Sequence, residues 1–147
     1  MYFDYFKIEG YTLLIEANES AITKVKLVNE AGAIKTCALI EEFKVQLKLY
    51  FEGKLKEFNI KYKINYLSWR KKLYNYIQQI KYGEQVPIKS LLNPMGLEKG
   101  VRAISRAMND NPLIIIIPCH RINSTIRKLN AYSYSNEFRN FLLEIEK

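Results

Sequence analysis

The only histidine in the chain directly follows one of its two cysteines, in the stretch Pro118-Cys119-His120-Arg121. A cysteine is nucleophilic only as the thiolate, and a free thiol with a pKa of about 8.5 is only a few per cent ionised at pH 7. A proton acceptor or a positive charge must therefore lie nearby, and His120 and Arg121 offer one of each. This stretch makes Cys119 a candidate nucleophile, and a structural cysteine that stays reduced is the alternative.

The residues before Cys119 predict how the thiol is presented. Residues 113–117 form a continuous apolar run, typical of a fully buried strand, and Pro118, which has no N–H to donate to a sheet, ends the run. Adjacent strand residues point to opposite faces, so a direct Cys119–His120 pair of the protease kind is not expected. Either the chain turns at Cys119 or the proton travels through a water molecule.

A histidine that acts through a water molecule needs an acid to orient it. The last predicted helix, residues 136–146, carries three candidate carboxylates, on Glu137, Glu144 and Glu146. Position in the sequence alone does not choose among them.

The overall composition excludes several other classes of protein. The 147 residues, 48% of them hydrophobic, can bury a core in one or two small units. No apolar run reaches the roughly 18 residues of a membrane span and the first ten residues do not resemble a signal peptide, so we expect a cytoplasmic protein with no membrane partner. Two cysteines and one histidine predict neither a disulfide framework nor a zinc site.

The net charge of +8 suits a polyanionic partner or a lysine-rich solvated surface.

The periodicity of the apolar residues predicts an α/β (α+β) chain with two domains. Alternating runs at residues 11–16 and 22–28 predict an antiparallel sheet, residues 38–51 follow with helical spacing, and Gly53 is suited to end that helix. A new amphipathic helix over residues 66–80 indicates a boundary near residue 65. We therefore expect an amino-terminal α/β domain over residues 1–65 and a mainly helical domain over residues 66–147.

The second domain contains a pattern that resembles a helix-turn-helix. Pro87 is suited to open a short helix, Asn93 and Pro94 are expected to close it, and residues 97–108 form the next helix. A tight Asn-Pro-Met-Gly turn would join the two.

The second helix of this pair has a face suited to DNA. Arg102 and Arg106, four residues apart, project from one side, where they would meet phosphates or simply water. Ala103, Ser105 and Ala107 are small enough for close approach to a groove, although helices also bury such residues for packing.

One stretch of sequence points to a known family. The sequence NPLIIIIPCHR at residues 111–121, with Tyr132-Ser133 downstream and a closing FLLEIE, resembles the active-site region of the O6-alkylguanine-DNA alkyltransferases. That family is marked by Pro-Cys-His-Arg after a hydrophobic strand, an Asn-Pro shortly before it and a Leu-Leu-x-x-Glu near the end. The resemblance extends more loosely back to residue 66, and KLYFEGK at residues 48–54 is similar to the end of the amino-terminal domain in archaeal members.

The resemblance implies an activity. Members of the family repair double-stranded DNA by moving an alkyl group, such as methyl, from guanine O6 to their own cysteine. The thioether product cannot be hydrolysed, so each molecule acts once. No cofactor and no metal is expected, and the expected partner of a monomeric protein is duplex DNA that contains O6-alkylguanine.

The resemblance also implies residue roles. Cys119 is the alkyl acceptor, His120 its water-linked base and Glu146 the acid that orients the histidine, while Asn111 is the hinge between helix and active-site strand. Arg102 matches the arginine finger that fills the space left by the flipped guanine. The other residues expected at the DNA or at the base are Arg106 and Ala103 on the helix face, the backbone carbonyls of Cys119 and Ile122, Tyr132 at guanine N3 and Ser133 at O6.

The chain departs from the family pattern at four places. Ile88 replaces a tyrosine that helps to rotate the target phosphate, and Ser105 with Arg106 replaces a glycine pair. The loop at residues 122–131 has no glycine, and Tyr134 replaces a glycine beside the pocket, which predicts a narrow cleft that prefers methyl to benzyl adducts. Two alternatives remain: a lesion sensor or DNA-binding module of the same fold that does not transfer the group, and a Cys-His hydrolase, which the adjacency of Cys119 and His120 disfavours.

Overall fold

The computed structural model describes residues 1–66, 68–95, 100–123 and 136–147. Two compact units are present, Met1–Asn65 and Tyr66–Lys147. Among the described residues, every helix is too short or too polar to span a bilayer.

The first unit is built on a three-stranded antiparallel sheet. Its strands are β1 (Tyr2–Ile8), β2 (Tyr11–Ala17) and β3 (Ile22–Val28), in the order β1-β2-β3. β2 lies at the centre because it pairs with both β1 and β3, and its alternating residues, including the fully buried Leu13 and Ile15, supply one face of the core. The strands predicted at residues 11–16 and 22–28 are confirmed.

A single helix, α1 (Ala38–Phe51), completes the described core of this unit. Its buried residues recur at three or four positions, as an amphipathic helix requires, and they are Ile40, Phe43, Leu47 and Tyr50. Gly53 adopts a φ of 75°, and its N–H donates to the carbonyl oxygen of Tyr50 (3.0 Å). The helix and its stop at Gly53 are as predicted.

The second unit is mainly helical. Its elements are α2 (Ser68–Ile77), β4 (Val86–Pro87), a 3₁₀ helix (Ile88–Leu91), α3 (Leu92–Met95), α4 (Gly100–Asn109), a 3₁₀ turn (Cys119–Arg121), β5 (Ile122–Asn123) and α5 (Asn136–Ile145). β4 and β5 form a short parallel pair, with Val86 opposite Ile122. The predicted fold class, an antiparallel sheet with a helix followed by a mainly helical part, is confirmed.

The predicted strand at residues 113–117 is wrong, although the prediction of burial is right. The segment makes a turn in which the Ile117 N–H donates to the Leu113 carbonyl oxygen (2.8 Å) and Ile115 has a φ of 75°. Residues 113–117 are all buried. A short apolar run indicates that the residues are buried, but its periodicity does not distinguish a strand from another buried conformation.

The predicted end of the first short helix at Asn93 and Pro94 is also wrong. α3 continues through both residues to Met95. Pro94 is the third residue of α3, and a proline is tolerated in the first turn of a helix because the N–H groups there have no partner within the helix. Residues 96–99, which connect α3 to α4, lie outside the described residues.

Candidate active site

The 3₁₀ turn places Cys119 inside the second unit. The whole Cys119 residue is buried, and its N–H donates to the Ile117 carbonyl oxygen (2.8 Å). Asn111, which follows α4, donates from Nδ2 to Cys119 Sγ (3.1 Å) and to the Ile117 carbonyl oxygen (2.9 Å). Its Oδ1 accepts from the Leu113 N–H (2.9 Å). One asparagine side chain therefore ties both ends of the apolar turn to the thiol.

His120 is buried and pairs with one carboxylate. Its Nε2 lies 2.7 Å from Glu146 Oε2, which follows the end of α5. Glu137 and Glu144, the other two candidate acids, are exposed. An ionised carboxylate only accepts hydrogen bonds, so Nε2 carries the proton and Nδ1 is the basic nitrogen. Nδ1 is buried and has no hydrogen-bond partner among the described residues.

Arg121 supplies the charge that balances Glu146. Its Nε donates to Oε1 (2.8 Å) and its Nη2 to Oε2 (3.1 Å), a two-pronged pairing, while Nη1 donates to the Ile80 carbonyl oxygen (2.8 Å). The Gly83 N–H also points at Oε1 (3.3 Å). Gly83 has a φ of 81°, and a Cβ there would lie 3.2 Å from the Glu146 carbonyl oxygen, so glycine suits this position.

Burial dominates the acid–base properties of the site. It raises the pKa of the Cys119 thiol to about 12, although the Asn111 hydrogen bond acts in the opposite direction. Burial also lowers the pKa of His120, more than the neighbouring Glu146 raises it. The ground state at neutral pH is therefore a neutral thiol beside a neutral imidazole, and a nucleophilic Cys119 needs its proton removed as it reacts.

The predicted DNA-facing residues lie on α4. Arg102 and Arg106 are both exposed, and Ala103 is half-buried. Ser105 and Ala107 are buried, so their small side chains serve packing inside the unit and not approach to a groove.

Of the other predicted positions, two lie in the described part of the chain and three lie outside it. Ile88 is almost fully buried, so it is a core residue and does not present a side chain to DNA. Ile122 is buried, and its carbonyl oxygen accepts from Arg139 Nη2 (3.2 Å). Tyr132, Ser133 and Tyr134, with the other residues between Asn123 and Asn136, lie outside the described residues.

Several groups of the site were not predicted. The Ile80 carbonyl and the Gly83 N–H are backbone groups, so no side-chain pattern reveals them. Arg139 also donates to Asn123 Oδ1 (2.7 Å). Nothing in the sequence distinguishes it from an ordinary surface cation. No group of three or more His, Cys, Asp or Glu side chains in the described part of the chain is placed to hold a metal ion.

Comparison with known proteins identifies this architecture. Residues 1–64 match the family model of the 6-O-methylguanine DNA methyltransferase ribonuclease-like domain, and residues 68–147 match that of its DNA binding domain. A methylated-DNA–protein-cysteine methyltransferase of Methanosarcina barkeri is 30% identical over 154 aligned residues, which cover all of this chain and 98% of the relative. Its counterpart in Methanocaldococcus vulcanius is 37% identical over 107 residues, 71% of this chain and 65% of the relative.

Solved structures show the same fold. The Mycobacterium tuberculosis O6-methylguanine methyltransferase superposes with a TM-score of 0.86 at 23% identity, over 99% of this chain and 92% of that one. Mycobacterium tuberculosis OGT in complex with DNA gives a TM-score of 0.88 at 24% identity, over 100% of this chain and 93% of that one.

The two matched domains are those of a DNA-repair methyltransferase. The chain belongs to the 6-O-methylguanine DNA methyltransferase family, which repairs DNA by direct alkyl transfer, and DNA is its partner.

The buried pairing of Arg121 with Glu146 makes a testable prediction. We expect Glu146→Gln to reduce the free energy of unfolding by about 3 to 5 kcal/mol, because it leaves the Arg121 charge, whose side chain is only 9% exposed, without a counter-ion. Urea unfolding at neutral pH measures the loss.

Glu144→Gln is the matched control, two residues away. The Glu144 carboxylate is 66% exposed and pairs with Lys147, which is also exposed, so its loss should change the free energy of unfolding by less than about 0.5 kcal/mol. Equal effects of the two substitutions would show that the Glu146 network does not hold this unit together.

Proposed function

We propose that this chain removes an alkyl group, such as methyl, from O6 of guanine in duplex DNA and that Cys119 accepts it. The observation that carries the proposal is the environment of the Cys119 thiol. Cys119 Sγ is held 3.1 Å from Asn111 Nδ2, in a buried turn whose next residue, His120, pairs with Glu146. An activated cysteine nucleophile requires a nearby base that is itself oriented by a third group.

The first chemical step moves the thiol proton to His120. Nδ1 is the basic nitrogen because Nε2 donates to Glu146, and a bridging water would let it receive the proton without direct contact between the two side chains. The Glu146 carboxylate then stabilises the imidazolium, and Arg121 Nε donates to the same carboxylate (2.8 Å). A positive His120 beside a negative Cys119 offsets the burial that otherwise holds the thiol pKa near 12.

The second step transfers the alkyl group. The thiolate forms a sulfur–carbon bond as the carbon–O6 bond breaks, and the electron pair of the broken bond stays on guanine. The net reaction places the alkyl group on Cys119 and returns the proton of the thiol to guanine. Hydrogen bonds from Tyr132 to N3 and from Ser133 to O6 are the expected means of stabilising the departing base.

Access to O6 requires the nucleotide to leave the base stack. We assign this task to α4, whose exposed Arg102 would replace the flipped base while Arg106 contacts phosphate. The Ile122 carbonyl has two lone pairs, so it can accept from the guanine amino group while it also accepts from Arg139.

The proposed chemistry consumes the protein, and it bears on the need for a cofactor, the oligomeric state and the location. A thioether is not hydrolysed in the site, so one molecule repairs one lesion, without a cofactor. The acceptor and the DNA-facing helix belong to the same unit, which supports action as a monomer. A role on chromosomal DNA supports the cytoplasmic location expected from the sequence.

Intact mass spectrometry tests the proposal. After incubation with a duplex that contains O6-methylguanine, we expect a single gain of about 14 Da, the mass of a methyl group replacing the thiol hydrogen. The gain should disappear in Cys119→Ala and persist in Cys37→Ala, which removes the other cysteine. No gain in the wild-type protein, despite tight binding to the lesion, would make the chain a damage sensor and overturn transfer.

A second test addresses the DNA-facing side of α4. Each phosphate contact adds about 0.9 to the slope of log affinity against log salt concentration. We expect Arg106→Ala to reduce that slope by about this amount, as measured by fluorescence anisotropy with undamaged duplex DNA.

The control for this test is Lys24→Ala. Lys24 lies in β3 and pairs with Glu16 (3.2 Å), so its removal should leave the slope unchanged. An unchanged slope for Arg106→Ala would remove this residue from the DNA contact.

A further inference from the structure

Tyr74 makes a buried hydrogen bond for which the repair chemistry described above gives no reason. Its side chain on α2 is fully buried, and its hydroxyl donates to the Ala107 carbonyl oxygen (2.6 Å). Ala107 lies in the last turn of α4, four residues before Asn111. The bond therefore joins α2 to the point at which the chain leaves α4 for the acceptor cysteine.

The backbone at this point departs from the helical pattern. In a continued α-helix the Asn111 N–H would donate to Ala107, four residues back. It donates instead to the Met108 carbonyl oxygen (3.2 Å), while the Asp110 N–H still keeps its helical partner, Arg106 (3.1 Å). Helix ends leave carbonyl groups that need other donors, and the Tyr74 hydroxyl is the donor to Ala107.

A second set of contacts, at the surface, joins the start of α2 and a residue just before it to Asp110, the residue that follows α4. The Tyr66 hydroxyl donates to the Asp110 carbonyl oxygen (3.2 Å), and Arg70 Nη1 pairs with the Asp110 carboxylate (2.9 Å). Exposed bonds of this kind contribute little to stability, because water competes for the same groups. The buried Tyr74 bond is the stronger constraint on the end of α4.

We propose that Tyr74 is a positioning residue for alkyl transfer: by occupying the Ala107 carbonyl, it ends α4 at the point that turns the Asn111 side chain toward Cys119. The proposal rests on the proposed function of Cys119. Asn111 donates to the sulfur at 3.1 Å, and a hydrogen bond to a thiol stabilises the thiolate that forms from it. A displaced Asn111 would therefore leave a thiolate that is harder to form.

The hydroxyl of Tyr74 is suited to a permanent role of this kind. Burial, and then the proximity of Cys119, raise the pKa of Tyr74 well above its ordinary value. It therefore remains a neutral donor at every pH at which the protein works, and it adds no charge beside the reacting sulfur.

Tyr74→Phe is the direct test, because it keeps the ring and removes only the donor. We expect single-turnover transfer from an O6-methylguanine duplex to slow by about tenfold, the usual scale for one lost buried hydrogen bond. Affinity for undamaged duplex should stay unchanged, since Arg102 and Arg106 remain in place. Tyr66→Phe, which removes the exposed hydroxyl bonded to the same end of α4, should transfer at the wild-type rate.

A second measurement does not depend on alkyl transfer. In ¹⁵N-labelled protein, the side-chain amide resonance of Asn111 reports its bond to sulfur, and we expect it to shift in Tyr74→Phe and not in Tyr66→Phe. If the wild-type protein transfers no methyl group, the proposed function fails while this measurement still tests the positioning.

Two results would overturn the role of Tyr74. The first is a folded Tyr74→Phe protein with a wild-type rate and an unmoved Asn111 resonance. The second is an equal loss of rate and DNA affinity, which would make Tyr74 a general packing residue.

Discussion

The rest of the site depends on the hydrogen bonds and ion pairs made by the Glu146 carboxylate. It joins three segments of the second unit: the cysteine turn through His120 and Arg121, the segment before β4 through the Gly83 N–H, and the end of α5, which it follows. A buried carboxylate is unfavourable unless it is paired and hydrogen-bonded. Arg121 meets that need with two donors and fixes the turn in the same contact.

This charge balance decides the state of the neighbouring histidine. With Glu146 neutralised by Arg121, a proton on His120 would add an unbalanced charge to a buried place, and burial accordingly lowers the pKa of His120. The same burial raises the pKa of Cys119. Neither group is ionised alone, and a single proton passed from one to the other creates two opposite charges that stabilise each other. A buried site of this kind would keep the proposed nucleophile, Cys119, inert until it reacts.

The turn that leads to the thiol is held under strain. Ile115 has a φ of 75°, a conformation that is unfavourable for a β-branched residue. It persists because Asn111 binds both ends of the turn, at the Leu113 N–H and the Ile117 carbonyl oxygen. Asn111 thus shapes the backbone before Cys119 and also contacts its sulfur.

The sequence could predict those parts of the molecule that follow from local pattern. The alternating strands and the helix that ends at Gly53 follow from periodicity and from the backbone freedom of glycine. The turn at residues 113–117 could not be predicted, because five consecutive apolar residues report only that they are buried. Residue positions left Glu137, Glu144 and Glu146 equivalent; only the family resemblance selected Glu146, which lies 2.7 Å from His120. Long-range packing produces the contacts of the Ile80 and Gly83 backbone groups and the hydrogen bond of the Tyr74 hydroxyl. The spacing of residues in the sequence does not predict such contacts.

The protonation of His120 tests the central claim most directly, because the chain has a single histidine and therefore a single imidazole signal. ¹⁵N NMR of the free protein at pH 7 distinguishes a protonated from an unprotonated ring nitrogen. We expect a neutral ring with the proton on Nε2 and a bare Nδ1, and we expect it to stay neutral as the pH falls through 6.5, the ordinary pKa of histidine. A proton on Nδ1, or a ring already charged at pH 7, would contradict the claim that His120 receives the proton of Cys119.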